Sequence, residues 1–293
     1  MKKICITGDT GTGNNEQYLV AKSLENYQKS NDISAVLLLG DNIYENGVTS
    51  KHDPQFQTKF ETPYSNINVP FYLCLGNHDY GNNHFTSNAY DMFAKHQIDY
   101  SKISNKWNLP RRYYSKIIGP CEFFFLDTNL DLMSQQVIQK QLRTMKHKIR
   151  KSKKKWKILC GHHTWRSSGG HGNADPILEK FLTDLVSGTN ICAYLCGHDH
   201  CKNVITMPFP QGKRKTKRKK NKQLHCFVIG TGGKAYDDSL FTPSNIQKDA
   251  GETLLLQNSK LGFIGLTMTT KQLIFEIYDV NHKHTKLVKT III

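Results

Sequence analysis

The sequence lacks a long hydrophobic run, and its first residues predict no secretory leader. Its longest unbroken apolar segment, residues 191–196, has six residues, whereas a helix needs ~20 apolar residues to cross a bilayer. At the amino end, the apolar stretch stops at Gly8 and Asp9, which is too soon for a signal-peptide core. We therefore expect no transmembrane segment and a cytoplasmic location.

Glycosylation sites and paired cysteines are also missing. No Asn-x-Ser/Thr sequence occurs, and none of the eight cysteines belongs to a CxxC pair, which argues against a structural zinc site. The cysteines lie in or beside apolar, strand-like segments, where free thiols of a reducing compartment are normally buried. This pattern agrees with a cytoplasmic protein.

Acidic residues are absent from two short basic stretches, residues 146–157 and 213–222. Each stretch has eight Lys or Arg residues, and the whole chain has 40 basic and 24 acidic residues. The two stretches therefore account for the formal net charge of +16. Such runs are either solvated surface or a docking surface for a polyanion, such as nucleic acid or an anionic membrane. Their positions predict that both lie at the pole of the molecule away from the motifs described below.

Strand-length apolar segments alternate with helical segments up to about residue 200. Because these strands are apolar throughout, we expect both of their faces to be covered. The alternation predicts βαβ crossovers and one largely parallel sheet in an α/β fold, followed after Cys201 by antiparallel strands. No linker or repeat is present, so we expect a single domain, residues 1–293, with a basic insertion at 211–222. The predicted parallel strands are 4–7, 35–39, 71–75, 157–160 and 191–196, and the predicted helices are 14–29, 53–61, 85–96, 134–150 and 175–186.

Each predicted parallel strand ends in glycine followed by a side chain that can bind a metal. The carboxyl ends of parallel strands form a shared ligand-binding edge, and glycine at each end permits a sharp turn. One Gly-Asp or one histidine is weak evidence, but five such ends on one sheet edge predict a cleft with a metal-binding donor set. The five ends are Gly8-Asp9, Gly40-Asp41, Gly76-Asn77-His78-Asp79, Gly161-His162-His163 and Gly197-His198-Asp199-His200.

The order of these motifs resembles that of the calcineurin-like metallophosphoesterases. Tyr44, three residues after Asp41, narrows the resemblance to the purple acid phosphatases, particularly the small, tartrate-resistant acid phosphatase type. Segments 53–57, 107–110, 125–128 and 170–172 match as well, so the resemblance extends from residue 4 to about residue 270. It implies a β-sandwich flanked by helices, with a dinuclear metal site at the carboxyl ends of the strands.

The resemblance also implies a role for each matching residue. His78 and His171 would contact the phosphate and assist departure of the leaving group. We further expect Asp79 to orient His78, the glycine-rich segment 167–172 to be mobile, and His163 to line the cleft without binding metal. The implied metal ligands are Asp9, Tyr44 and His200 for the first ion, Asn77, His162 and His198 for the second, and Asp41 as the bridge between them.

The donor types agree with two different ions. The first set collects three anionic oxygens, from Asp9, Asp41 and Tyr44, and hard anionic donors favour a small trivalent ion. The second set shares Asp41 and adds only neutral amide and imidazole groups, which suit a divalent ion. We therefore expect Fe(III) with Fe(II), Zn or Mn and a bridging hydroxide that attacks a phosphate monoester in line.

Three alternatives stay open at this point. The Gly8-x-x-Gly11-x-Gly13 pattern, with Asp41 ending the second strand, also fits a dinucleotide-binding oxidoreductase, although it leaves the histidines unexplained. The basic stretches suit a nucleotide phosphodiesterase or nuclease of the same superfamily. A binding protein that has lost catalysis is the third alternative, and nothing in the sequence favours it because every expected ligand is present.

Overall fold

The computed structural model describes residues 1–81, 87–210 and 222–293, with side chains described again from Met92 after the first gap. In these residues, no helix is long and apolar enough to cross a membrane. The predicted basic stretch 213–222 lies outside the described residues except for Lys222, as does the start of the predicted helix 85–96.

The described residues form fourteen strands and four α-helices. The strands are β1 (Lys2–Thr7), β2 (Ile33–Leu38), β3 (Phe71–Leu73), β4 (Trp107–Asn108), β5 (Tyr114–Ile118), β6 (Cys121–Phe125), β7 (Trp156–Cys160), β8 (Ala193–Cys196), β9 (Lys202–Pro208), β10 (Gln223–Ile229), β11 (Thr253–Asn258), β12 (Gly262–Met268), β13 (Leu273–Val280) and β14 (Thr285–Ile292). The helices are α1 (Asn15–Ser30), α2 (Ser87–Tyr100), α3 (Gln135–Lys151) and α4 (Pro176–Val186). Residues 53–61, predicted as a helix, contain a short helical segment, in which residues 55 and 56 continue into a π-helical turn, Gln57–Glu61.

Side-chain caps explain where three of the helices begin. The Asn14 side chain accepts a hydrogen bond from the Gln17 amide at the start of α1. At the start of α3, the Ser134 side chain accepts one from the Val137 amide. Asp175 accepts from two amides of the first turn of α4, where Pro176 occupies the first helical position. Such caps satisfy amides that have no partner within the helix.

The strands form two seven-stranded sheets. The first has the order β14-β13-β12-β1-β2-β3-β4, and the second has the order β11-β9-β10-β8-β7-β6-β5. In the first sheet, β1 to β4 are parallel, and in the second sheet β6, β7, β8 and β10 are parallel. The remaining strands pair antiparallel. The predicted α/β fold is confirmed, but the prediction of one largely parallel sheet is wrong.

Both faces of the second sheet are covered, as the apolar strands predicted. Phe123 and Phe125 of β6 pack in the core that also contains Ile4 and Val36 of the first sheet. Phe124, which lies between them, packs in a second core with residues of α3 and α4. Successive strand residues point to opposite faces, so an unbroken apolar strand supplies both cores.

The buried lysine Lys202 connects the two sheets. It begins β9 of the second sheet, and its Nζ donates hydrogen bonds to Asp279 Oδ1 at 2.7 Å, Leu261 O at 3.0 Å and Tyr278 O at 3.1 Å. Tyr278 and Asp279 belong to β13 of the first sheet. The sheets are therefore joined by polar contacts beside the apolar core.

The described residues of the two basic stretches lie at the amino ends of the parallel strands. Lys157 stands near the start of β7, and its Nζ donates to Ile149 O at the end of α3. Lys222 precedes β10 and lies near Cys192, with which it interacts electrostatically. The Cys192 amide donates to Lys157 O, so Lys222 and Lys157 lie at the same end of the sheet. The predicted placement away from the strand carboxyl ends therefore holds for the described residues of both stretches.

Candidate metal centre

Five strand ends from two sheets converge on one cleft. β1, β2 and β3 bring Asp9, Asp41 and Asn77 from the first sheet, whereas β7 and β8 bring His162 and His198 from the second. The carboxyl ends of these strands meet where the sheets face each other, and Asp9, Asp41 and His162 are buried. The cleft lies between two sheet edges rather than along the single edge expected from the sequence.

The first donor cluster contains Asp9, Tyr44 and His200. The Tyr44 hydroxyl lies 3.1 Å from Asp9 Oδ1 and 3.1 Å from His200 Nε2, and those two atoms lie 3.4 Å apart. Two oxygens and one imidazole nitrogen thus point at a common position. This is the group expected to hold the first ion.

The second donor cluster contains Asn77, His162 and His198. His162 Nε2 lies 3.1 Å from Asn77 Oδ1 and 3.2 Å from His198 Nδ1. Asp41 Oδ1 approaches the same His162 nitrogen at 3.4 Å. Ligand atoms of Asp9, Asp41 and His200 also lie within 4.8 Å of one another. Asp41 therefore faces both clusters, as a bridging ligand must.

The donor atoms of the second cluster fit a cation. His162 Nδ1 is 2.9 Å from the Leu39 carbonyl oxygen, which can only accept, so Nδ1 carries the proton. In the neutral ring, the Nε2 lone pair then faces the Asn77 and Asp41 oxygens, which are acceptors as well. Burial disfavours the charged ring, but the Asp41 and Asp9 carboxylates and the Leu39 carbonyl together outweigh burial and raise the pKa of His162 to about 9. A proton or a metal ion can supply the missing positive charge.

Tyr44 is held as a neutral phenol by its surroundings. Burial and then the carboxylates of Asp41 and Asp9 raise its pKa well above the usual 10. Because ionisation leaves a buried anion beside two carboxylates, the phenolate forms only when a nearby cation compensates its charge. The first cluster therefore fits an ion of high positive charge.

Several strand-end glycines are required mainly because a side chain at these positions would collide with a ligand atom, and less because the backbone turns there. A Cβ on Gly76 would lie 2.1 Å from Asp41 Oδ1, and a Cβ on Gly197 would lie 2.1 Å from Asp9 Oδ2. A left-handed backbone occurs at Gly40, with φ of 88°, and also at three ligands themselves, Asp9, Asp41 and His198, with φ of 58°, 51° and 69°. Non-glycine residues rarely adopt this conformation, which marks the site as locally strained.

His78 lies beside the first cluster, but Asp79 does not orient it. His78 Nδ1 bonds to the Glu45 carbonyl oxygen at 2.5 Å, and its Nε2 is 3.9 Å from Asp41 Oδ2. The Asp79 carboxylate instead accepts from the amides of Asn42, Ile43 and Gly76 and from the Gln97 side chain. Our expectation for Asp79 was wrong because its side chain points away from the cleft, where it fixes the loop that carries Asp41.

His171 lies over the second cluster on an anchored loop. Its ring stacks on His198 at 4.1 Å, and its amide donates to Asp199 Oδ1 at 2.8 Å. Asp199 also accepts from the Ser167 hydroxyl, which in turn accepts from the Gly169 amide. These bonds argue against the mobility expected of segment 167–172.

Tyr236 belongs to the site and was missed in the sequence. Its hydroxyl is 2.8 Å from His171 Nε2, its ring lies 4.6 Å from that of His200, and its amide bonds to His200 O. Tyr236 thus contacts the metal-ligand group and the loop of His171. Its only sequence signal was the glycine-rich segment 230–233 after β10.

His163 lines the cleft, as expected. Its ring is 5.1 Å from that of His162 and 4.6 Å from that of His198. Burial, followed by the charge of His162, lowers the pKa of His163 to about 3. The structure thus brings together all seven expected metal ligands, with His78, His171 and His163 around them, while their individual roles stay predictions.

Comparison with known proteins identifies the family. The calcineurin-like phosphoesterase family model matches residues 2–202, which include every expected ligand. The chain belongs to the calcineurin-like phosphoesterase family. Its resemblance to purple acid phosphatases is confirmed by purple acid phosphatase 3 of Arabidopsis thaliana, which is 33% identical over 69% of this chain and 58% of its own length. Tartrate-resistant acid phosphatase type 5 of Rattus norvegicus is 34% identical over 56% of this chain and 54% of its own length.

This phosphoesterase chain therefore spans little more than half the length of those two relatives. Its fold is also similar to that of purple acid phosphatase PPD1 from yellow lupin (Lupinus luteus) seeds, with a TM-score of 0.75 and 19% identity. The match covers 99% of this chain and 53% of the lupin chain. The predicted fold class, an α/β metallophosphoesterase-type β-sandwich flanked by helices, is confirmed.

Proposed function

We propose that this protein is a metal-dependent phosphatase that hydrolyses phosphate monoesters. The observation that carries the proposal is the pair of donor clusters joined by Asp41, on a chain of the phosphoesterase family. Two cations bound there would lower the pKa of a coordinated water and neutralise the negative charge of the phosphoryl group.

We assign the first cluster to Fe(III) and the second to Fe(II), Zn(II) or Mn(II). Three anionic oxygens, from Asp9, Asp41 and the Tyr44 phenolate, can surround the first ion, and this donor set favours a trivalent metal. The second cluster adds only neutral groups to the Asp41 carboxylate. An Fe(III)–phenolate pair absorbs visible light, so the iron-loaded protein is expected to be pink to purple.

We assign proton transfer and phosphate contact to His78 and His171. His78 Nδ1 donates a hydrogen bond to the Glu45 carbonyl oxygen. The other ring nitrogen, Nε2, is therefore the one that can exchange a proton in the cleft. His171 is held from two sides, by Tyr236 at Nε2 and by Asp199 at the backbone amide. A histidine held in this way can donate a proton to the leaving oxygen without a large reorganisation.

The alternative functions are less well supported. The described residues of the basic stretches lie at the opposite ends of the strands from the donor clusters, so they do not extend the cleft for a phosphodiester. For a dinucleotide site, the Gly11 loop would have to admit a pyrophosphate. A Cβ on Gly11 would instead lie 2.0 Å from Asn42 O, because that loop is packed against its neighbour.

The proposal is tested by metal analysis, the visible spectrum and substrate preference. We expect two metal ions per chain, a visible absorption band that Tyr44→Phe abolishes, and faster hydrolysis of 4-nitrophenyl phosphate than of bis(4-nitrophenyl) phosphate. Asp41→Ala removes the one group that faces both clusters among the residues the structure describes, and it should abolish activity and metal pairing. A colourless iron-loaded protein would contradict the role of Tyr44, and a preference for the diester would contradict the substrate class.

Polyanion docking, a cytoplasmic location and a single domain over residues 1–293 stay predictions. If the basic stretches bind nucleic acid, replacing the eight basic residues of 213–222 with Ser or Gln should weaken salt-sensitive DNA binding and leave monoester hydrolysis unchanged. Wild-type protein that binds neither DNA nor anionic vesicles at ~50 mM salt, where such contacts are strong, would leave the stretches as solvated surface.

A further inference from the structure

Two adjacent histidines at the carboxyl end of β7 occupy opposite hydrogen-bonding environments. His162 uses Nδ1 to donate to a backbone carbonyl, which leaves its Nε2 lone pair for a metal. His163 uses the same atom, Nδ1, to contact the hydroxyl of Thr128 at 2.9 Å. The hydrogen-bonding capacity of that hydroxyl therefore determines which nitrogen of His163 carries the proton.

The Thr128 hydroxyl already accepts two hydrogen bonds. The amide of His162 donates to it at 3.2 Å, and the amide of His163 donates at 3.1 Å. A hydroxyl has two acceptor positions and one proton, so its third contact must be made by donating. Thr128 is 3% exposed, which leaves little room for water to take that proton. His163 Nδ1 is therefore the acceptor, and the neutral ring carries its proton on Nε2.

The Nε2–H group of His163 is available in the cleft. Among the described residues, none forms a hydrogen bond with this nitrogen, and the ring stands beside those of His162 and His198. Because Nδ1 is occupied and Nε2 is protonated, neither nitrogen has a lone pair to offer a metal. A group of this kind can donate a hydrogen bond to an anion but cannot act as a ligand.

We propose that His163 is a further substrate-contacting residue, which donates a hydrogen bond from Nε2–H to a phosphate oxygen beside the second donor cluster. The inference rests on the proposed phosphatase function for the identity of the anion. Thr128 is the positioning residue, since it fixes the tautomer of His163 and bonds the backbone amides of both histidines.

The tautomer is tested first, by nitrogen-15 NMR of the metal-free protein and of the protein loaded with diamagnetic Zn(II). We expect the long-range coupling pattern of a neutral Nε2–H ring for His163. Inorganic phosphate should then move the Nε2–H proton resonance downfield in the Zn(II)-loaded protein. A neutral Nδ1–H ring would overturn the inference whether or not the protein is a phosphatase.

Binding of inorganic phosphate, measured by calorimetry on the Zn(II)-loaded protein, tests the contact itself. His163→Phe keeps a ring but removes the donor, so phosphate should bind about 10- to 100-fold more weakly while the metal content is unchanged. His163→Gln, which retains an N–H donor, should recover part of the affinity. His225→Phe makes the same chemical change on β10, away from the donor clusters, and should have no effect.

The possible failures are distinguishable. Unchanged phosphate affinity in both His163 variants would overturn the contact, and loss of a metal ion from His163→Gln would show that His163 is a ligand. If His163→Phe does not fold, the Gln variant and the NMR shift with phosphate decide the question. A wild-type protein that neither binds phosphate nor cleaves monoesters would refute both the proposed function and the phosphate contact. The NMR measurement of the His163 tautomer does not depend on either result.

Discussion

Replacing Gly197 with alanine should displace one metal ligand without altering its chemistry. A Cβ at this position would lie 2.1 Å from Asp9 Oδ2, whereas real Cβ contacts are essentially never shorter than 3.0 Å. The carboxylate oxygen must therefore move by about 1 Å, and misplacement of this size in an active site can cost ~100-fold in rate, or about 2.7 kcal/mol in activation free energy. The contact of the added Cβ with the Leu39 carbonyl oxygen, at 3.2 Å, is tight but needs a shift of only a few tenths of an ångström, so the fold should survive.

The assay compares metal content, monoester hydrolysis and thermal unfolding of Gly197→Ala with those of Gly170→Ala. Gly170 lies at the rim of the same cleft, but its added Cβ would contact Tyr236 at an ordinary 3.7 Å, so this variant should behave as wild type. In Gly197→Ala we expect weaker metal binding and ~100-fold slower hydrolysis, with only a small loss of stability because the His198 amide loses its 2.9 Å bond to Asp9. Wild-type metal affinity and rate in Gly197→Ala would refute the assignment of Asp9 as a ligand.

Three further predictions follow from individual contacts. His171→Ala should slow hydrolysis by ~10²–10⁴-fold with both metals retained, and a lost metal ion would show that His171 is a ligand. Tyr236→Phe, which removes the 2.8 Å contact to His171 Nε2, should lower kcat less than His171→Ala and add nothing when the two changes are combined; additive losses would show that Tyr236 acts independently. Lys202→Met leaves buried acceptors and the Asp279 carboxylate without their partner, which should cost ~3–5 kcal/mol and lower the melting temperature by ~5–8 °C; an unchanged melting curve would contradict the role of Lys202 in joining the sheets.

Much of the fold could be predicted from the sequence because its signals are local. Runs such as residues 191–196 are apolar on both faces, and helix caps such as Asn14 and Asp175 precede amphipathic segments. These patterns depend on a few neighbouring residues, so they located the principal strands and most of the helices. Four strands were missed: β4, β5, β6 and β11. β4 has only two residues and β5 mixes polar with apolar residues, whereas β6 and β11 contain short apolar runs, which do not by themselves distinguish a strand from a buried helical segment.

The expected ligands could also be named from the sequence, since each follows a glycine at the end of a strand or, for Tyr44, lies at a fixed distance from Asp41. The division of those strands between two sheets could not be predicted from their apolar pattern, and only the family resemblance implied a β-sandwich. Strand pairing depends on contacts between residues far apart in the chain, and both arrangements bring apolar strands into a core.

The tertiary structure alone determined which atoms of these side chains are free to act. His162 and His163 are adjacent in the sequence, yet their protons lie on different nitrogens. The carbonyl of Leu39, which follows β2, accepts from Nδ1–H of His162, whereas the Thr128 hydroxyl donates to Nδ1 of His163 and leaves its proton on Nε2. Asp79 stands next to His78 in the chain but points to the Asn42 loop instead. The sequence by itself therefore determined which chemical groups gather at the strand ends, while their orientation and proton positions were decided by hydrogen-bond partners that only folding brings near.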